Sequence, residues 1–181
     1  ITVWDANTEA QIAVRPMPGP NVGNAISGIV VYDDKLFVGS FDGTVRVCKT
    51  SDYSYLTTLV AFTGGWQKAV YCLAMYDGIL FVGADNGNIA VFNTNASPMT
   101  RMRSLGVQDN DESEYTGHTS WVRCLKVHDG KLHSSSHDKT IKIWDCESFE
   151  LLDTLTDHLS RGMGINSLAI YNDQLISAGS G

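Results

Sequence analysis

The sequence predicts an all-β chain assembled from similar four-stranded antiparallel units, and three observations carry that prediction. Seventeen glycines against four prolines, with seven Tyr, six Phe and four Trp in 181 residues, is the composition of short strands joined by tight turns. A turn pattern also recurs: Tyr32-Asp33-Asp34-Lys35-Leu36, Tyr76-Asp77-Gly78-Ile79-Leu80, His128-Asp129-Gly130-Lys131-Leu132 and Tyr171-Asn172-Asp173-Gln174-Leu175, at offsets of 44, 52 and 43 residues. An alternating apolar run flanks each copy on both sides, which reads as a β-hairpin.

Taken in order, each hairpin supplies a unit's first two strands. Third strands follow at Thr44 to Cys48, Asn88 to Phe92 and Thr140 to Trp144, and fourth strands at Tyr55 to Ala61, Met99 to Leu105 and Phe149 to Thr156. The predicted divisions are 1–25 (third and fourth strands of a cut unit), 26–68, 69–121, 122–164, and 165–181 (first and second strands of a cut unit). A sheet unit needs neighbours to cover its faces, and radial packing of such units makes a propeller.

Composition excludes several function classes. No apolar run approaches the ~20 residues that cross a bilayer, and the start, Ile1-Thr2-Val3-Trp4-Asp5, has no basic n-region or apolar h-region. No membrane insertion is expected. The formal net charge of -7 argues against nucleic acid, whose nonspecific affinity comes from cations neutralising phosphates. Cys48, Cys72, Cys124 and Cys146 lie far apart without a CxxC pair, as expected of reduced thiols in an intracellular protein.

One unit carries a family signature. The stretch Gly117-His118-Thr119-Ser120-Trp121-Val122-Arg123-Cys124-Leu125, followed by Leu132 to Trp144-Asp145, resembles a complete WD40 repeat with both the GH and WD dipeptides. Weaker copies stand in register: Val3-Trp4-Asp5, Val47-Cys48-Lys49 and Val91-Phe92-Asn93 at the WD position, and Gly65-Trp66 and Asp157-His158 at the GH position. The resemblance implies a WD40-type β-propeller with about four blades in this chain, as a segment of a larger ring. A homodimer closing an eight-bladed ring, or a four-bladed ring fastened by its own ends, are the other closures.

The resemblance further implies a structural tetrad of His118, Ser134, Asp138 and Trp144. Buried imidazole and carboxylate groups are costly unless paired, so a satisfied network would pin one sheet register. The first unit has Val38, Asp42 and Cys48 in the last three slots, and the second has Val82, Asn86 and Phe92. Both are expected to hold by apolar packing. Ser177 fills the Ser slot of the last unit.

Ser134, His118 and Asp138 could also be read as a hydrolase triad, but no GxSxG elbow accompanies them. No catalytic residue and no cofactor is expected. Nor is a metal site: His133 and His137, four apart in or beside one strand, would lie about 13 Å from each other, and His128 falls at the opposite end of the hairpin. The acidic run Asp109 to Glu114 lacks the mid-loop glycine and terminal Glu of a calcium loop. It lies in the longest connector, 106–119, and its charge would favour a basic partner; Ser113 within it is a weak phosphorylation candidate.

In the family, fourth-to-first-strand connectors and second-to-third-strand turns share one of the propeller's two faces, the top, and residues flanking the tetrad Asp or opening the first strand point to it. Carried over, the partner-binding residues are Trp121, Arg123, Tyr71, Phe41, Asp85, His137 and Asn166, with Ala69, Gly164 and Ser180 beside them. Trp, Tyr and Arg are the side chains enriched at interface hot spots. The expected function is a non-catalytic scaffold binding a protein or peptide within a larger intracellular complex, cytoplasmic or nuclear. An RNA or ribonucleoprotein-associated propeller and a propeller-fold hydrolase are the alternatives.

Overall fold

The computed structural model describes residues 2–14, 25–63, 68–106, 115–156 and 164–179. Every regular element in them is a strand, and no helix is long and apolar enough to cross a membrane. Strands β1 (Thr2–Trp4) and β2 (Gln11–Val14) pair antiparallel as a two-stranded sheet. Three complete four-stranded blades follow. The first is β3 (Ile26–Tyr32), β4 (Lys35–Ser40), β5 (Thr44–Lys49) and β6 (Tyr55–Val60). The second is β7 (Val70–Tyr76), β8 (Ile79–Ala84), β9 (Ile89–Asn93) and β10 (Thr100–Leu105). The third is β11 (Val122–His128), β12 (Lys131–Ser136), β13 (Ile141–Asp145) and β14 (Leu151–Leu155). A last hairpin joins β15 (Ile165–Tyr171) to β16 (Gln174–Gly179).

Turn chemistry explains the hairpins. Asp77 and Gly78, Asp129 and Gly130, and Asn172 and Asp173 all have positive φ, which two-residue hairpin loops need in order to match strand twist. The second-to-third-strand turns share another device. Asp42 Oδ1, Asn86 Oδ1 and Asp138 Oδ1 each accept a hydrogen bond from the backbone N–H two residues on, at 3.0, 3.0 and 2.9 Å. The residue between sits at positive φ in each: Gly43, Gly87 and Lys139.

The core lies between blades. Leu59, Phe62, Val70, Leu80 and Phe92 fill the layer between the first and second, while Phe81, Leu105, Val122, Leu132 and Trp144 fill that between the second and third. A smaller cluster of Ile141, Ile165 and Leu168 joins the third blade to the last hairpin. Successive first strands β3, β7, β11 and β15 pack side by side, so residues at equivalent positions become neighbours across blades.

Each first strand carries a β-bulge near its start. Pairing with the second strand skips one residue, and that residue is Ser27, Tyr71, Arg123 or Asn166. A bulge leaves its extra residue out of the ladder and re-aims its side chain. Thus Tyr71 and Arg123 are presented by the same backbone irregularity in consecutive blades.

Trp4 occupies the WD position by sequence, yet it is 59% exposed, against 1% for Trp144. Among the described residues β1 pairs with β2 alone, so no described strand on its other edge covers Trp4.

Candidate recognition face

The third blade holds a closed polar network. His118 Nδ1 lies 2.8 Å from Asp138 Oδ2, His118 Nε2 lies 2.8 Å from Ser134 Oγ, and Trp144 Nε1 donates to Ser134 Oγ at 2.9 Å. Thr140 Oγ1 donates to Asp138 Oδ1 at 2.7 Å, and the Thr119 N–H donates to Asp138 Oδ2. Burial pushes the Asp138 carboxyl up, but the hydrogen bond and charge of His118, with the Thr140 bonds, outweigh it and hold the group well below the ordinary range. Tyr115 Oη donates to the His118 carbonyl at 2.7 Å, tying the end of the long connector to the same network.

These distances reproduce a serine-hydrolase order, Ser to His to Asp, but the chemistry is sealed off. Ser134 and His118 have no exposed surface, and Ser134 Oγ is held by His118, Trp144 and the Lys142 carbonyl together. A nucleophile must reach a substrate carbonyl; here the hydroxyl is surrounded by its own blade. The arrangement clamps β12 to β13 and anchors the loop before β11.

In the first blade the structure departs from purely apolar packing. Val38 and Cys48 are fully buried, but Asp42 keeps its charge and gains a different partner. Arg46 Nη2 donates to Asp42 Oδ2 at 3.0 Å, with the two side chains only 3% and 14% exposed. Burial raises the Asp42 carboxyl, and the Thr44 hydrogen bonds and the Arg46 charge bring it below its ordinary value. Spacing alone did not announce this pair, since Lys142 also stands four positions after Asp138 yet donates to Thr154 Oγ1. The second blade does pack apolar at these slots, with Val82 and Phe92 buried and neutral Asn86 capping its own turn.

At the ends of these turns five of the sequence-derived candidates meet. The Phe41 and Tyr71 rings lie 5.3 Å apart between centroids, tilted by 56°. Tyr71 stacks on Trp121 at 5.8 Å and Trp121 stacks on His137 at 5.2 Å, the planes within 19° and 21° of parallel. The Arg123 guanidinium lies over the Tyr71 ring at 4.9 Å and over Trp121 at 6.0 Å. A continuous ladder of rings therefore crosses three blades, and aromatic pairs of this kind contribute about 0.5–1.5 kcal/mol each beyond area burial. Phe41 and Trp121 remain 41% exposed.

The remaining candidates sit apart from the ladder's ring contacts. Asp85 holds the turn position matching Phe41 and His137, and its N–H donates to the Ala69 carbonyl as theirs do to Ala25 and Trp121. Its Oδ1 is buried without a hydrogen-bond partner among the described residues, and burial pushes the carboxyl up. Asn166 takes the bulge position of β15. Gly164 packs so tightly on His137 that a Cβ there would meet His137 Cα at 2.2 Å. Ser180, Gly65-Trp66, Asp157-His158 and the acidic run Asp109 to Glu114 lie outside the described residues. Among those described, no group of three His, Cys, Asp or Glu residues is gathered for a metal.

The WD40 repeated-domain family model matches residues 20–181. The chain belongs to the WD40 repeat family. Among curated relatives, the probable E3 ubiquitin ligase complex SCF subunit sconB of Talaromyces marneffei is 52% identical over 42 residues, 23% of this chain and 6% of that protein. The nuclear distribution protein PAC1 of Candida tropicalis is 60% identical over 35 residues, 18% of this chain and 7% of that protein. This WD40 chain thus matches only a small part of each relative's length. Among solved structures, a chain of the mitotic checkpoint complex superposes with a TM-score of 0.75 at 21% identity, covering 99% of this chain and 52% of that one. That likeness shows the fold, a set of WD40 propeller blades.

Proposed function

We propose that this WD40 chain is a non-catalytic interaction scaffold that takes a peptide or protein segment on its top face, as an intracellular subunit of a larger complex. The observation that carries the reading is the ring ladder: Trp121 and Phe41 keep a large share of their surface open although both are held by neighbours. Rigid aromatic anchors with open faces are what an interface hot spot needs, because little side-chain entropy remains to be lost on binding. The sealed Ser134 hydroxyl supports a scaffold over a hydrolase. The similar proteins carry names of complex subunits, an SCF ligase subunit and a mitotic checkpoint chain, which suits the same role.

The test is affinity capture with the intact protein, comparing wild type, Trp121→Ala and Arg123→Glu. Partners recovered by wild type and lost from both variants, at unchanged thermal stability, support the top-face site. Unchanged recovery removes it. A broad hydrolase screen showing turnover that Ser134→Ala abolishes would return the enzyme reading.

A further inference from the structure

The top-face reading leaves the chemistry of the partner open, and the overall charge of -7 would suggest a basic one. The local arrangement points the other way. The Arg123 guanidinium lies over the Tyr71 ring at 4.9 Å and over the Trp121 ring at 6.0 Å, and among the described residues no hydrogen bond or ion pair engages it. Among the described second-to-third-strand turns, Asp42 is paired with Arg46 and Asp138 with His118. Asp85 is not within ion-pair distance of Arg123, and Lys139 adds a second cation in the turn that carries His137.

Stacking uses the faces of a guanidinium and leaves its N–H donors directed outward in the plane, where they match the two oxygens of a carboxylate. Arg123 is partly buried beside the stacked pair, so its donors gain more from an anionic acceptor than those of a fully solvated arginine would. Charges elsewhere on the surface do not cancel this, since exposed charges beyond the Debye length of about 8 Å at physiological salt are largely screened. We propose that Arg123 is the specificity-determining residue of the face, and that the segment docked there carries an Asp or Glu side chain accepted by Arg123 beside an apolar side chain laid on Trp121. The proposal rests on the top-face reading and refines it.

The probe is a positional-scanning library of fluorescein-labelled hexapeptides, with one position fixed at a time, read by fluorescence polarisation against the intact protein. At least tenfold preference for Asp or Glu over Asn or Gln at one position is expected. Arg123→Gln should abolish that preference while keeping the apolar one, Arg123→Glu should convert it to Lys or Arg, and Trp121→Ala should weaken every peptide. Thermal unfolding of each variant reports whether the blade is intact. Peptide binding without acidic preference, or a preference surviving in Arg123→Gln, overturns the inference and leaves the top-face reading standing. Selection of phosphoserine with no selection of Asp or Glu overturns the carboxylate assignment. Binding of no peptide by any sublibrary removes the top-face peptide reading and the inference with it.

Discussion

Arg46 Nη2 lies 3.0 Å from Asp42 Oδ2 in the first blade, and the guanidinium does there what the His118 imidazole does for Asp138 in the third, where the contact is 2.8 Å. The two solutions differ in origin. His118 reaches the turn from the connector before β11, tying blade to loop, whereas Arg46 reaches back from the strand that follows the same turn. The first blade thereby keeps a charged turn without its histidine, serine and tryptophan.

Removing one member of that pair should be costly, since breaking a buried ion pair typically loses about 3–5 kcal/mol. Arg46→Met is expected near the low end, because Asp42 retains its Thr44 hydrogen bonds. The double variant Arg46→Met with Asp42→Asn should recover most of the loss. Urea denaturation measures both; a loss below about 1 kcal/mol for Arg46→Met, the worth of an exposed pair, would show that the bridge does not hold the turn.

In the third blade, Trp144→Ala should destabilise by about 3–5 kcal/mol as a large-to-small change in a packed layer. Ser134→Val alone leaves the Trp144 N–H and the His118 nitrogen facing a methyl group, an unsatisfied burial that costs about 1–3 kcal/mol per group. Pairing it with Trp144→Phe copies Val82 and Phe92 of the second blade. The double variant should cost less than the two single changes together, and a strictly additive result in chemical denaturation would show that the network is not coupled.

Acid should act through the same turns. Asp138 and Asp42 both have folded values below the ordinary 3.8, so each contributes stability that is fully present above a pH of about 4 and is lost as pH falls through its folded value. Thermal melts across that range should show a decline that Asp138→Asn makes shallower. An equal slope in the variant would mean that other carboxylates carry the transition.

Gly87 combines a φ of 84° with close contact to the connector, and a Cβ there would meet the His118 carbonyl oxygen at 2.1 Å. Gly87→Ala therefore faces both a left-handed backbone, which costs roughly 1–2 kcal/mol for a side-chain-bearing residue, and displacement of the tetrad histidine. A drop in melting temperature together with altered Trp144 fluorescence is expected; retention of both would show that the connector yields freely.

Much of the fold was legible because hairpins announce themselves locally. Asp129-Gly130 between alternating runs specifies a turn whatever surrounds it, and the four spaced copies made the repeat visible. The Arg46 bridge was not, because val-to-polar alternation along Thr44 to Cys48 reads as an ordinary strand and does not reveal that the polar face is buried against Asp42. The bulges were equally silent: skipping Arg123 or Tyr71 in the pairing leaves no mark in residue order.

The sequence by itself determined the all-β class, the repeat, the WD40 resemblance and the residue types placed at the turns, since each depends on short-range pattern and periodicity. Only the tertiary structure decided which of those residues touch. Phe41 and His137 are about two repeat lengths apart in the chain, and the four rings meet because adjacent first strands pack side by side while the bulge swings Tyr71 and Arg123 out of the ladder of strand hydrogen bonds, toward the turn and strand-start residues of the neighbouring blades. Contact between blades is a property of packing, and packing is where the chain's local preferences are first tested against one another.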